Sequence, residues 1–156
     1  MTARLNLFTN ELAAKHLKYL VSAGKVITDS SLPTVLQELV SLRVSQINGC
    51  AMCVDIHTKH LAHEGEQAVR IHLVAAWREA TVYTEAERAA LELAEQATRI
   101  ADASGGVSDE AWTNASKHYT EDELAGLVSL IALMNAMNRL NVTVRNPAGS
   151  YVVGQF

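Results

Sequence analysis

The chain is poor in the residues that mark special classes of protein. Only 5% of its 156 residues are aromatic, there are two prolines and two cysteines, and 13 Lys and Arg stand against 17 Asp and Glu for a net charge of −4. Two cysteines are too few for a disulfide framework. A chain of this length buries roughly 70% of its unfolded surface, so it needs neither such staples nor a structural metal in order to fold. The weak negative charge and scattered basic residues give no attraction to phosphate backbones or anionic lipid, so no nucleic-acid or membrane partner is expected. The opening residues, Met1 to Asn10, are too polar for the apolar core of a secretion signal, and a cytoplasmic protein is expected. The longest nearly apolar run, Leu124 to Met137, has 14 residues interrupted by Gly126, Ser129 and Asn135. It falls short of the roughly 20 needed to cross a bilayer and reads as a buried helix. With 49% hydrophobic residues and no linker or repeat, residues 1–156 are expected to form a single domain.

What is present is helical patterning. No segment alternates apolar and polar residues with β-branched enrichment, whereas turns of apolar residues recur three and four apart throughout. A first helix is expected from Asn10 to Ser22 with Gly24 beyond its end, and a second from Pro33 to a stop at Asn48-Gly49. A third runs from about Cys50 to Glu64 before Gly65, and a fourth from about Gln67 to Glu79 with Val69, Leu73 and Trp77 in register. Thr84-x-x-Glu87 and Thr120-x-x-Glu123 are capping boxes. They open a helix to about Ala103 and a last, longest helix to about Arg145, with a short one capped by Ser108 between them. The expectation is an all-α bundle of about seven helices, with a weakly specified tail from Ala148 onward.

The chemistry concentrates in one stretch, Asn48-Gly-Cys50-Ala-Met-Cys53-Val-Asp-Ile-His57, which holds both cysteines and a histidine four positions after the second. At about 100° per residue, Cys53 and His57 lie about 60° and 20° from Cys50 around the helix axis, so the three share a stripe. Gly49 ends one helix and Cys50 begins the next, where unpaired N–H groups and the helix dipole favour thiolate over thiol. Two thiols this close can close a disulfide once one has been oxidised. Three readings compete. The cysteines could be ordinary buried residues, which leaves a Cys-x-x-Cys at a helix start unexplained. They could bind zinc with His57, but only His60 and His63 are near enough to offer a fourth ligand. Redox chemistry accounts for the whole pattern. Val54 after the second cysteine rules out the usual c-type haem attachment. Glu38 lies twelve residues before Cys50, and an antiparallel return through Asn48-Gly49 would bring it toward His57 as a proton-accepting pair.

The run from Glu38 through Cys50-x-x-Cys53-x-x-x-His57 resembles the alkyl hydroperoxidase D-like branch of the carboxymuconolactone decarboxylase superfamily. The likeness continues through Ala75-Ala-Trp77-Arg78, the Thr84 to Leu91 helix start and Asn135-Ala-Met-Asn138-Arg139, and covers most of residues 12–145. The resemblance implies an alkyl hydroperoxidase D-like all-helical fold assembling as a trimer or hexamer. It also implies a thiol-dependent peroxidase without cofactor or metal. On that pattern Glu38 and His57 form a proton relay, Cys53 attacks a hydroperoxide, and Cys50 resolves the sulfenic acid into a disulfide. A dithiol of the dihydrolipoamide or thioredoxin type then reduces that disulfide. Helix-start logic alone favours Cys50 as the more exposed thiol, while the contact one turn on to His57 favours Cys53 as the attacking one. The decarboxylase members lack the cysteine pair, which disfavours that activity. The other classes to be weighed are a redox sensor or partner-binding protein with little turnover, and a zinc-binding helical domain. Asn135, Asn138 and Arg139 read as bridges between helices or subunits and Trp77 as core, while His60, about 20° from Cys53 around the helix, could line the site mouth but reads first as an exposed helix residue. Asn141-Val-Thr143 and Asn114-Ala-Ser116 match glycosylation acceptors by coincidence.

Overall fold

Most helices begin where the sequence offers an oxygen to cap them. In the computed structural model, which describes residues 2–155, the elements are α1 (Glu11–Thr28), α2 (Thr34–Ile47), α3 (Ala51–His63), α4 (Ala68–Leu73), α5 (Glu85–Thr98), α6 (Asp109–Ala115) and α7 (Glu121–Val144). Asn10 caps α1 and Ser108 caps α6, and both expected capping boxes are complete, at Thr84/Glu87 and Thr120/Glu123. Gly49 and Gly65 stop α2 and α3 in the left-handed region, at φ 67° and 80°. Among the described residues the fold is all helix, with one 3-10 turn at Val74–Ala76 and no strand.

Three helices depart from the sequence pattern, one of them α5, which stops at Thr98 rather than running to about Ala103. α1 runs through Gly24 to Thr28 rather than ending near Ser22. Its glycine faces α7, where a Cβ would lie 3.3 Å from Leu133 Cδ2, so Gly24 serves close helix contact instead of a stop. The fourth helix breaks after Leu73 into the 3-10 turn, which buries Ile71, Val74 and Trp77 at intervals of three and leaves Val69 exposed. The Trp77 indole N–H donates to Glu95 Oε1 at 2.9 Å, and Arg43 Nε donates to the same oxygen at 2.7 Å, so the ring is both buried and satisfied.

α2 is the central element, lying against α3, α5 and α7. Its Leu39 and Leu42 join Leu61, Val74, Trp77 and Leu91 on one side. Val40 and Val44 join Cys50, Cys53, Leu93, Leu127 and Ile131 on the other. A helix buried on both flanks has little amphipathic contrast, and even its polar Gln37, Ser41 and Ser45 are buried. α7 has 24 residues and is long and apolar enough, by composition, to cross a membrane. Only one stripe of it is buried, from Leu124 through Leu127, Ile131 and Met134 to Asn138, while Val128 and Val142 are exposed. The expected buried helix is buried on one side.

Polar groups lock the end of α2 in place. Asn48 Nδ2 donates to Asn135 Oδ1 at 3.0 Å and to Asn138 Oδ1 at 2.9 Å, and Asn138 Nδ2 donates to Ser45 Oγ at 3.2 Å. The expected bridging role of these α7 amides is what the structure shows. Their bonds fix the turn that delivers Cys50, whose own N–H donates to Ser45 O at 3.0 Å.

Candidate active site

Cys50 is the N-cap of α3, and its Sγ accepts from the Cys53 N–H at 3.3 Å. The two cysteines are joined in a disulfide with their Cα atoms 5.3 Å apart. Both are buried, at 1% and 3% exposure, so the expectation that Cys50 is the more accessible thiol fails: the turn through Asn48 and Gly49 carries it under the helix bundle. The helix start still directs a backbone N–H at Cys50 Sγ, and its dipole favours a thiolate once the disulfide is reduced.

One helical turn on, His57 Nδ1 lies 2.7 Å from Glu38 Oε2, and the two side chains are only 12% and 17% exposed. The structure thus joins α2 to α3 through the pair that the sequence placed together. It adds a second histidine. His60 Nδ1 lies 3.3 Å from Glu38 Oε1, and its Nε2 lies 2.7 Å from the Tyr151 hydroxyl, so the expected surface role of His60 is corrected. Burial alone would raise the Glu38 carboxyl's pKa, but hydrogen bonding and positive charge from His57, then His60, outweigh it and hold the group below its ordinary 4.5. Glu38 therefore stays ionised across the neutral range.

The C-terminal tail, weakly specified by sequence, is strapped onto α3. Asp55 Oδ2 accepts from the Gly149 N–H at 2.7 Å and from the Tyr151 N–H at 3.4 Å, while Lys59 Nζ donates to Tyr151 O at 2.7 Å. Buried Tyr151 is thereby set over His60. Asn141 is a further residue that sequence reasoning passed over as part of a coincidental motif. Its Nδ2 lies 3.5 Å from Cys53 Sγ and 3.1 Å from Met137 O, and its Oδ1 accepts from Asn146 Nδ2 at 2.7 Å. The signal was present: Asn135, Asn138 and Asn141 recur every three residues along α7.

Two cavities lie beside the start of α3, and the second reaches the disulfide. One, of about 350 Å³, is apolar and lies among Leu17, Val21, Ile56 and Met137. The other, of about 310 Å³, opens on Gly49, Cys50, Arg145 and Asn146. Met52 and Asn141 line both. With the sulfurs paired, a metal has no thiolate to bind, and the expected zinc alternative built on Cys50, Cys53 and His57 finds no support in this state. Among the described residues, the donor atoms of Glu38, His57 and His60 do lie within 4.8 Å of one another.

The pattern of the Carboxymuconolactone decarboxylase family matches residues 14–96, a span that includes Glu38, both cysteines and His57. The chain belongs to this family. Among its members, the chain is similar to the uncharacterized protein YdfG of Bacillus subtilis, at 38% identity over 90% of this chain and 94% of that one. It also shares 32% identity and a TM-score of 0.89 with a protein of unknown function from Agrobacterium tumefaciens, over 96% of this chain and 100% of that one. The role suggested for that protein is that of an antioxidant defence protein, AhpD. The debrominase Bmp8, in complex with 2,3,4-tribromopyrrole, matches at 18% identity and a TM-score of 0.75 over 88% of this chain and 72% of its own, which is a likeness of fold. This carboxymuconolactone decarboxylase family member is AhpD-like, as its cysteine pair and its structural neighbours agree.

Proposed function

We propose that the protein is a thiol-dependent peroxidase that reduces hydroperoxides by cycling Cys50 and Cys53 between dithiol and disulfide. The observation that carries this reading is a disulfide at the first turn of α3, one turn from an imidazole held 2.7 Å from a buried carboxylate. In the reduced protein His57 accepts the Cys53 thiol proton, with Glu38 stabilising the imidazolium that forms. The thiolate attacks the terminal peroxide oxygen, the O–O bond breaks, and the leaving alkoxide takes the proton back as alcohol. Cys53 is left as a sulfenic acid. Cys50 then attacks that sulfur, water leaves, and the disulfide closes. Two electrons from a dithiol reductant of the dihydrolipoamide or thioredoxin type, passed through a mixed disulfide, reopen it. Asn141, donating toward Cys53 Sγ, would orient and stabilise the attacking thiolate. The protein is expected to work in the cytoplasm as a trimer or hexamer.

The test is steady-state hydroperoxide consumption with a panel of dithiol donors. Sustained turnover supports the reading. A single burst of disulfide formation without turnover would instead favour a redox sensor. Role assignment follows from two variants: Cys53→Ser should lose peroxide reduction, whereas Cys50→Ser should complete one reduction and leave a trappable sulfenic acid on Cys53. A sulfenic acid found on Cys50 in Cys53→Ser would invert the roles.

A further inference from the structure

We propose that Glu38, His57 and His60 form a zinc site whose occupation switches the thiol chemistry off. The switching half of this proposal rests on the relay reading above; the binding half does not. Three donor groups converge from two helices: a carboxylate from α2, and two imidazoles one turn apart on α3 that both turn Nδ1 toward it, at 2.7 and 3.3 Å. All three donor atoms lie within 4.8 Å of one another. Ligands about 2.1 Å from a tetrahedral zinc stand about 3.4 Å apart, so the His57 to Glu38 edge of 2.7 Å must open and the widest edge, no more than 4.8 Å, must draw in to admit the ion.

Two further observations point to a ligand here. A cleft of about 110 Å³, lined by Glu38, His60, His63 and Val153, leads to the cluster and has room for the water that completes an open zinc coordination sphere. The buried Tyr151 hydroxyl lies 2.7 Å from His60 Nε2 and holds that ring with Nδ1 facing Glu38, the kind of outer contact that orients a metal-binding imidazole. The donor set of two nitrogens and one oxygen suits zinc and does not suit magnesium, which prefers oxygen alone.

Occupation has a chemical consequence. In the relay, the His57 tautomer that directs Nδ1–H at Glu38, 2.7 Å away, is the one whose Nε2 can accept a thiol proton. A zinc ion on Nδ1 takes the place of that proton, and the neutral ring then carries its hydrogen on Nε2. No base remains for Cys53.

The test uses the full chain in its disulfide form, so that no thiolate competes, with Zn²⁺ titrated against a chromophoric chelator. The expected result is one ion per chain, unaffected by excess Mg²⁺. His60→Gln should weaken binding by more than tenfold, and Tyr151→Phe by about 10- to 100-fold, the usual loss when an outer contact of a metal-binding histidine is removed. Melting curves show whether each variant is folded, and Tyr151→Phe keeps the bulk of the buried ring. Failure of the oxidised protein to take up zinc, or wild-type affinity in both variants, overturns the site. In the reduced protein zinc should slow Cys53 alkylation in wild type and spare His60→Gln. Equal slowing in both overturns the switch and assigns the effect to thiolate binding. Zinc uptake as expected, combined with no peroxide turnover by zinc-free protein, refutes the peroxidase reading and leaves the site standing.

Discussion

Replacing Glu38 by Gln is the perturbation that reads most directly on the relay. The substitution keeps size and a hydrogen-bond acceptor for His57 Nδ1 but removes the charge 2.7 Å away. The two side chains are 12% and 17% exposed, so solvent screens the pair little and the loss should not shrink to the near-zero value of a surface ion pair. A hydrogen bond to a charged group contributes about 1.5–3 kcal/mol and a neutral one about 0.5–1.5, so the imidazolium formed during proton transfer loses about 1–1.5 kcal/mol of stabilisation. At 1.36 kcal/mol per decade, peroxide reduction and Cys53 alkylation in the reduced protein should both slow roughly tenfold. The pH profile should move to the alkaline side, because more of the thiolate must then form without help. His57→Gln should slow them at least as much, and the double variant should lose little beyond the worse single one, since the two residues act as a unit. Alkylation kinetics across pH in the four proteins decide the matter. An unchanged profile in Glu38→Gln would remove Glu38 from the chemistry, and fully additive losses would show that the pair is not a relay.

Stability should follow pH through the same carboxylate. A group whose pKa is lowered by folding stabilises the protein above its unfolded value, here about 4.5, and that contribution disappears as pH falls through the folded value. Wild type should therefore lose stability below pH 4.5 more steeply than Glu38→Gln in chemical denaturation series, and parallel slopes would contradict the assignment. The two helix-contact glycines should respond differently to Ala. A Cβ at Gly126 would lie 2.8 Å from Leu32 Cδ1, a side chain that is itself buried, so Gly126→Ala should cost about 1–2 kcal/mol after the gain in helix propensity. Gly24→Ala meets Leu133 at 3.3 Å and should be neutral or stabilising by a few tenths of a kcal/mol, read as a shift in Tm. Self-association is expected from the apolar side chains on the outer face of α1, where Leu12 and Val26 are 81% and 75% exposed. Light scattering at micromolar concentration should give a multiple of the 16.9 kDa chain, and a monomer mass would refute this.

Much of the molecule was legible because helical order is local. Thr84/Glu87 and Thr120/Glu123 state two helix starts within four residues each, and Gly49 and Gly65 state two stops through the left-handed backbone they accept. The same locality put Cys50, Cys53 and His57 on one stripe, and the short Asn48-Gly49 turn made an antiparallel return bringing Glu38 alongside the natural outcome. Gly24 misled because its sequence neighbourhood cannot show that the helix continues through it against Leu133, more than a hundred residues on. The rest of the site was decided across similar distances. Asn141 reaches Cys53 over 88 residues and Tyr151 reaches His60 over 91, and local spacing names the partner of neither. The sequence by itself determined most of the helices, the Cys50–Cys53 pair and the approach of Glu38 to His57, since each depends on residues a few turns apart. Only the tertiary structure decided that Glu38 serves two histidines, that the tail seats a tyrosine behind one of them, and that both cysteines lie buried. Those features depend on which helix faces meet once α2, α3 and α7 have packed, and burial there sets the electrostatics that the bare spacing leaves open.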